Sequence, residues 1–246
     1  MNNENNQWIN EVWSKIEKKL SCTQEEIGVR FPHLSRDGKY EDMKDTDICW
    51  WTNGFWPGIM WLMYTGTKDD KYKITAEALE KELDKALYGY KGLHHDVGFM
   101  WLTSAVADYR LTGNEESKIR GQIAASVLAS RYNIKGKYIR AWNGDKKCWS
   151  IIDSMMNIPL LYWASEVEED DRFKYIAMEH ADTAMKNFIR PDGSVNHIVE
   201  FNHETGEFVN TFGGQGYEEG SSWSRGQSWA LYGFILSYIH TQNKNI

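Results

Sequence analysis

Cysteine is scarce in this chain: Cys22, Cys49 and Cys148 are the three in 246 residues. An odd number in no CxxC spacing argues against a disulfide frame and a structural zinc, and leaves reduced, buried thiols. Basic runs are missing too. With a formal net charge of -7 and no long Lys/Arg stretch, the chain lacks the broad positive surface that nucleic acid requires. Any anionic ligand must therefore be met by local positive charge. No window approaches the roughly 18 uninterrupted apolar residues of a membrane span, and the opening MNNENNQWINEVW has no basic start followed by an apolar run. The expected compartment is the cytoplasm, with no membrane partner. Low-complexity tracts and linkers are absent as well.

Aromatic side chains are what the chain has in plenty. Twelve Trp, thirteen Tyr and nine Phe make up 14% of it, enough for a large core or for a cleft whose rings stack on ligand faces. So much tryptophan makes a sugar a candidate ligand. Hydrophobic content of 41% over this length supports a sizeable core and is most simply read as one domain.

Four segments repeat one construction, a polar or glycine-containing lead-in, an apolar-aromatic run of helical length and a polar turn. They are WWTNGFWPGIMWLMYTGT (50–67), HHDVGFMWLTSAVADYRLTGN (94–114), IIDSMMNIPLLYWASEVEEDD (151–171) and SSWSRGQSWALYGFILSYIHT (221–241). Being apolar around most of their circumference, they are expected to be helices enclosed by others. Amphipathic helices alternate with them, from Lys71, from Ser117 and from Asp171. In the last, Phe173, Ile176, Ala177, Ala181, Ala184, Met185 and Phe188 fall three and four apart, an apolar stripe with charges opposite. The expectation is an all-α fold of two concentric layers. Strand signals are confined to a hairpin from SVNHIVEFN (194–202) and EFVNTF (207–212) and a short strand in KYIRAW (137–142).

Chemistry-bearing residues stand at the lead-ins. Pro159 is tolerated in a first helical turn, so the third inner helix is expected to begin near Asn157, with Asp153 in the turn before it. Asp96 stands similarly, ahead of VGFMWL. An isolated Asp at such a place is ordinarily a helix N-cap or a dipole partner. Two features point beyond that: bulky Met155 and Met156 follow Asp153, and His94 and His95 precede Asp96. Should both carboxylates open onto one aromatic cavity, desolvation and mutual repulsion raise at least one pKa and keep an acid protonated near neutral pH. Carbohydrate-cleaving enzymes need that arrangement.

Arg225, bracketed by Trp223 and Trp229, is read as held rigidly for bidentate capture of a carboxylate. The glycine-rich FGGQGYEEG (212–220) has neither the order nor the strand-to-helix context of a dinucleotide loop and is read as bringing Gln215 close to a ligand. His94, His95, His197 and His203 lack an HExxH spacing, so hydrogen-bonding roles are preferred to zinc.

Taken together, HHDVGFM, DSMMNIPLLYWAS, GGQGY and SSWSRGQSWALYG resemble the unsaturated glucuronyl hydrolases of glycoside hydrolase family 88, from about Trp50 to the C-terminus. The resemblance implies an (α/α)6 toroid of the six-hairpin glycosidase kind, with the active site at the inner-helix mouths. It implies hydration of the 4,5 double bond of an unsaturated uronic acid at the non-reducing end of a lyase-made, glycosaminoglycan-type oligosaccharide. Asp153 is then the general acid and Asp96 its carboxylate partner. Arg225, with Gln215 and His197, holds the uronate carboxylate or its neighbours, Trp142 and Trp229 pack on the sugar, and His95 is a further pocket candidate. Family members often carry Thr two positions before the Gln, where this chain has Gly213; that residue and Thr211 complete the substrate-binding set. No metal or organic cofactor is implied.

Only about eight helices can be counted, so a toroid of twelve would be incomplete at the C-terminus, with residues 1–246 one catalytic domain lacking roughly the last third. Truncation is the expected explanation; supply of the missing part from elsewhere, or an open fold whose exposed apolar edge drives association, are the alternatives. Competing functions are an unsaturated rhamnogalacturonyl hydrolase of the sister family, an epimerase or isomerase on the same barrel, and an inactive carbohydrate-binding remnant.

Overall fold

The computed structural model describes residues 3–243. Helix α1 (Asn3–Ile27) leads into a short ribbon, β1 (Ser35–Arg36) with β2 (Lys39–Tyr40). Inner and outer helices then alternate. Helix α2 (Phe55–Thr67) packs on α3 (Asp70–Gly89), and α4 (Val97–Leu102) with α5 (Ala105–Thr112) packs on α6 (Glu115–Ala129). After β3 (Tyr132–Asn133), β4 (Tyr138–Ile139) and β5 (Trp149–Ile151) come α7 (Ser154–Asn157) and α8 (Pro159–Glu168), the latter against α9 (Arg172–Phe188). β6 (Ile198–Phe201) and β7 (Phe208–Phe212) precede α10 (Ser224–Thr241), the fourth inner element.

Among the described residues, ten α-helices stand where eight helices were expected because two inner segments are broken. The second breaks at Thr103 and Ser104, the third at Ile158, where Pro159 opens α8 without an amide hydrogen to donate back. The third inner segment is thus already helical from Ser154, ahead of Asn157. The expected hairpin forms as β6 and β7, with an irregularity between Glu200 and Phe201. β5, taken in the sequence for part of a helix lead-in, pairs with β6 and makes the sheet three-stranded and antiparallel.

Outer helices follow their stripes. Asp69 caps α3 by accepting from the Lys71 amide at 3.0 Å, and Tyr72, Ala76, Leu79, Leu83 and Ala86 turn inward at three- and four-residue spacing. On α9, Phe173, Ala177, Ala181, Ala184 and Phe188 are buried as expected, but Met185 is 37% exposed and His180 is wholly buried. His180 earns that place with hydrogen bonds: its Nδ1 accepts from the Ile139 amide at 3.1 Å and its Nε2 meets Ser154 Oγ at 2.6 Å.

Helix α10 corrects the expectation that every inner helix is enclosed. It buries Gly226, Ala230, Gly233 and Ser237, with Gly233 so close to Met155 that a Cβ would lie 2.5 Å from that residue's Cβ. Leu231, Tyr232, Ile235 and Ile239 remain exposed on its other side.

A polar cluster ties the first two outer helices together. Ser117 Oγ lies 2.8 Å from Glu80 Oε2 and 2.6 Å from Asp108 Oδ2, while Trp61 Nε1 donates to Glu80 Oε1 at 2.8 Å. One hydroxyl hydrogen cannot serve two carboxylates, so one of those contacts needs a carboxyl hydrogen. Glu80 supplies it, because burial and the charge of Asp108 push its pKa up from 4.5 to about 8. A folded-state value above the unfolded one favours the fold at low pH and is lost as pH rises from about 4.5 towards 8. Glu80→Gln copies the protonated group, donor and acceptor alike. Thermal melts should therefore show wild type losing stability relative to Glu80→Gln across that pH range; parallel melting curves would refute a protonated Glu80.

Candidate active site

Lead-ins of all four inner segments converge on one cavity of about 550 Å³. Trp50 and Trp51 come from the first, His94 and Asp96 from the second, Asp153 from the third, and Arg225 and Trp229 from the fourth; Trp142, Gln215, His33 and Asp47 complete the wall. Asp96 and Asp153 occupy the positions just before α4 and α7, yet neither side chain caps its helix. A capping hydrogen bond, one of the two ordinary roles of such an Asp, is therefore made by neither.

Burial then sets their chemistry. Asp96 is 6% and Asp153 7% exposed. Desolvation pushes Asp96 up to about 7, against the hydrogen bond from Asn157 and the charge of Arg131. Asp153 is raised well above the ordinary carboxylate value, first by burial and then by the negative charge of Asp96, with Arg225 opposing. Asp153 thus feels the charge of Asp96. His94 is lowered to about 4, and His95, wholly buried beside it, lies well below its ordinary value; burial is the main cause in both, with Arg131 adding to it. Both imidazoles are neutral near pH 7.

His95 Nε2 approaches Asp96 Oδ1 at 3.3 Å and His94 Nδ1 approaches Asp96 Oδ2 at 3.5 Å. Among the described residues, these three form the group able to offer a cation several ligand atoms, all within 4.8 Å of one another. Being consecutive in the chain, they lack the one-face spacing of a helical zinc site.

Arg225 is held by rings. Its guanidinium lies 4.4 Å from the Trp223 ring, 5.0 Å from Trp229 and 5.7 Å from Trp51, and Nη2 donates to Gln215 Oε1 at 2.6 Å. Gln215 is fixed in turn by its amide, which donates to His197 Nδ1 at 2.9 Å. His197 itself is 3% exposed and its ring lies tilted against Trp223, 4.4 Å between centroids, so it stands behind the Gln215–Arg225 pair rather than in the cavity wall. Thr211 lies in β7 opposite Val199, and Gly213 is engaged by Glu219; neither lines the cavity. His95 likewise reaches it only through Asp96.

Trp142 is held on its loop by Arg131, whose guanidinium donates to the carbonyls of Arg140, Ala141 and Trp142 at 2.9, 2.8 and 3.1 Å. Sequence reasoning missed Trp50 and Trp51 as cavity residues, although they occupy in the first repeat the place that Asp96 and Asp153 occupy in theirs. His33, Asp47 and Arg131 lie outside the four repeats and carry no comparable signal.

Alternating helical hairpins whose inner mouths hold paired carboxylates within tryptophan walls define a protein of the α/α-barrel kind. The chain belongs to Glycosyl Hydrolase Family 88, whose sequence profile matches residues 24–245. It is 38% identical over 208 residues to an unsaturated chondroitin disaccharide hydrolase of Streptococcus pyogenes serotype M1, an alignment covering 83% of this chain and 51% of that one. Among solved structures, the unsaturated glucuronyl hydrolase of Bacillus sp. GL1, described as responsible for degradation of glycosaminoglycan, superposes with a TM-score of 0.85 at 34% identity, covering 91% of this chain and 60% of the other. A variant of the Streptococcus agalactiae unsaturated glucuronyl hydrolase, complexed with dGlcA-GalNAc6S, gives 0.79 at 32% identity over 96% and 58%. The fold is that of these (α/α)6 barrels, and the chain spans between half and three-fifths of its relatives' length.

Replacing Arg225 by Lys keeps the charge but loses the planar fork and the stacking. Titrating glucuronate and following tryptophan fluorescence should show roughly tenfold weaker binding for Arg225→Lys; equal affinity would remove Arg225 from carboxylate capture.

Proposed function

We propose that this chain removes a 4,5-unsaturated uronic acid from the non-reducing end of lyase-generated, glycosaminoglycan-type oligosaccharides by hydrating the vinyl-ether double bond. The observation that carries this reading is the pair of raised-pKa carboxylates in one tryptophan-walled cavity with an arginine beside them. Asp153 gives its proton to C4, and the two electrons of the double bond form the new C–H bond. Positive charge develops at C5 and the ring oxygen, and ionised Asp96 stabilises it. Water adds at C5, and Asp153, now a carboxylate, takes the released proton. The C5 hemiketal breaks its bond to the ring oxygen to become a ketone, the ring oxygen takes the hydroxyl proton and leaves C1 a hemiacetal, and that hemiacetal breaks its bond to the next sugar, whose oxygen takes the remaining proton as C1 becomes an aldehyde.

Substrate contacts in this reading are Arg225 with Gln215 at the uronate carboxylate and Trp142 and Trp229 on the sugar faces; His197 supports them from behind Gln215 and His95 through Asp96, while Thr211 and Gly213 stand off the cavity. Residues 1–246 act as one catalytic domain. A reducing compartment such as the cytoplasm is supported by the three free thiols, Cys22, Cys49 and Cys148. No helix of the described residues is long and apolar enough to cross a membrane.

Activity needs Asp153 protonated and Asp96 ionised. Its rate should fall towards high pH as Asp153 loses its proton and towards low pH as Asp96 gains one, giving a bell. Asp153→Asn should cut turnover by about 10²- to 10⁴-fold while disaccharide binding persists. Loss of the double-bond absorbance of an unsaturated chondroitin disaccharide reads both. Consumption of an unsaturated rhamnogalacturonan disaccharide instead would transfer the chain to the sister activity, and full turnover by Asp153→Asn would end the acid assignment.

Self-association through the exposed face of α10 is part of the same reading, with a second copy of this chain as partner. It is supported by the apolar row Leu231, Ile235 and Ile239. Sedimentation velocity should show concentration-dependent association that Ile235→Glu weakens; a monomer at all concentrations would refute it.

A further inference from the structure

We propose that Asn157 is a positioning residue that decides which of the two cavity carboxylates holds the proton. The inference rests on the hydration reading for its catalytic consequence, but its geometry stands independently. Asn157 is wholly buried at the end of α7, and every polar atom of its side chain is engaged. Oδ1 accepts from the Phe99 amide at 2.7 Å, while Nδ2 donates to Asp96 Oδ1 at 3.2 Å and to the Asp153 carbonyl at 3.0 Å.

A hydrogen count fixes the orientation. The Phe99 amide can only donate, so the carboxamide oxygen must face it and the NH2 group must face the two oxygens. Asp96 Oδ1 is therefore obliged to accept, which favours its charged form. Asp153 receives no such side-chain donor: its Oδ1 is buried with no hydrogen-bond partner, and its carboxylate is met only by the backbone amide of Asp153 itself. One side chain thus stabilises charge on Asp96 alone while gripping the backbone that carries Asp153.

Backbone packing makes the grip close. A Cβ on Gly98 would lie 2.4 Å from Asn157 Cα, so glycine there lets α4 meet α7. The other ionisable groups facing the pair are His94 and His95 beside Asp96, Arg131 behind the Trp142 loop, Arg225 from α10, and His33 and Asp47 across the cavity. Among these charges Arg131 also favours an ionised Asp96, and Arg225 favours an ionised Asp153. What Asn157 adds is a directed side-chain donor that reaches the Asp96 carboxylate and not that of Asp153.

The test is a carbon-13 NMR titration of aspartate carboxyls on the full chain, with Asp96→Asn and Asp153→Asn used for assignment. In wild type, Asp96 should ionise at lower pH than Asp153. Asn157→Leu keeps the size and removes the donor, and should raise the Asp96 midpoint by about one to two pH units. Asn157→Asp retains an acceptor for Phe99 but turns a donor into a like charge, and should raise it further. Asp153 ionising first in wild type, or an Asp96 midpoint unmoved in either variant, would overturn the proposal. Should Asn157→Leu not fold, the wild-type order and Asn157→Asp still decide.

Kinetics supply the catalytic arm. The acid limb of kcat/KM should move with the Asp96 midpoint in the variants, whereas a purely structural residue would lower the rate equally at every pH. Wild type that leaves the double bond untouched would end the hydration reading and leave the NMR result to judge Asn157 by itself.

Discussion

Bringing two carboxylates to one cavity is costly, since each buried ion costs several kcal/mol after relaxation. Asp96 and Asp153 are the residues so treated, and the surrounding structure is best understood as the means of holding them there. Neither is neutralised by a salt-bridged lysine or arginine. Instead a proton is retained, and the one charge that remains is stabilised by a carboxamide and by a distant guanidinium. Desolvation, which would ordinarily count against a fold, here becomes the source of an acid.

The repeat supplies the geometry. Each inner segment opens at the same end, so whatever precedes the helix is delivered to the same hollow. From four such openings come a tryptophan pair, a histidine-aspartate group, an aspartate and an arginine among rings. Breaks in the second and third inner segments, at Thr103–Ser104 and at Ile158, keep α4 and α7 short. Those two short helices carry the acids, and Gly98 lets them meet. Rigidity comes from further out: Arg131 grips the Trp142 loop by three carbonyls, and His180 on α9 reaches through to Ser154, next to Asp153.

Charge placement is economical in the same way. Histidines crowd the region, yet burial keeps His94 and His95 neutral, so they shape the surroundings of Asp96 without cancelling its charge. Arg225 lies on ring faces and is open to the cavity. The Glu80, Asp108 and Ser117 cluster repeats the device of a retained proton far from the site, where it serves to join helices.

Periodicity was legible in the chain because an apolar stripe has to face something: the alternation of inner and outer helices, the stripe of α9 and the β6–β7 hairpin all follow from local spacing. Asp96, Asp153 and Arg225 could be singled out because ionisable groups at the head of apolar runs are costly unless used. Convergence was another matter. That Trp50 and Trp51 share a wall with Trp229, that His33 and Asp47 join them, and that His197 stands behind Gln215 depend on how separate hairpins pack. So do the strand role of β5 and the uncovered side of α10. The sequence by itself determined which helices form and which polar residues their ends would carry; tertiary packing alone decided which ends meet, because a carboxylate's pKa and partners depend on distances between segments that no local pattern encodes.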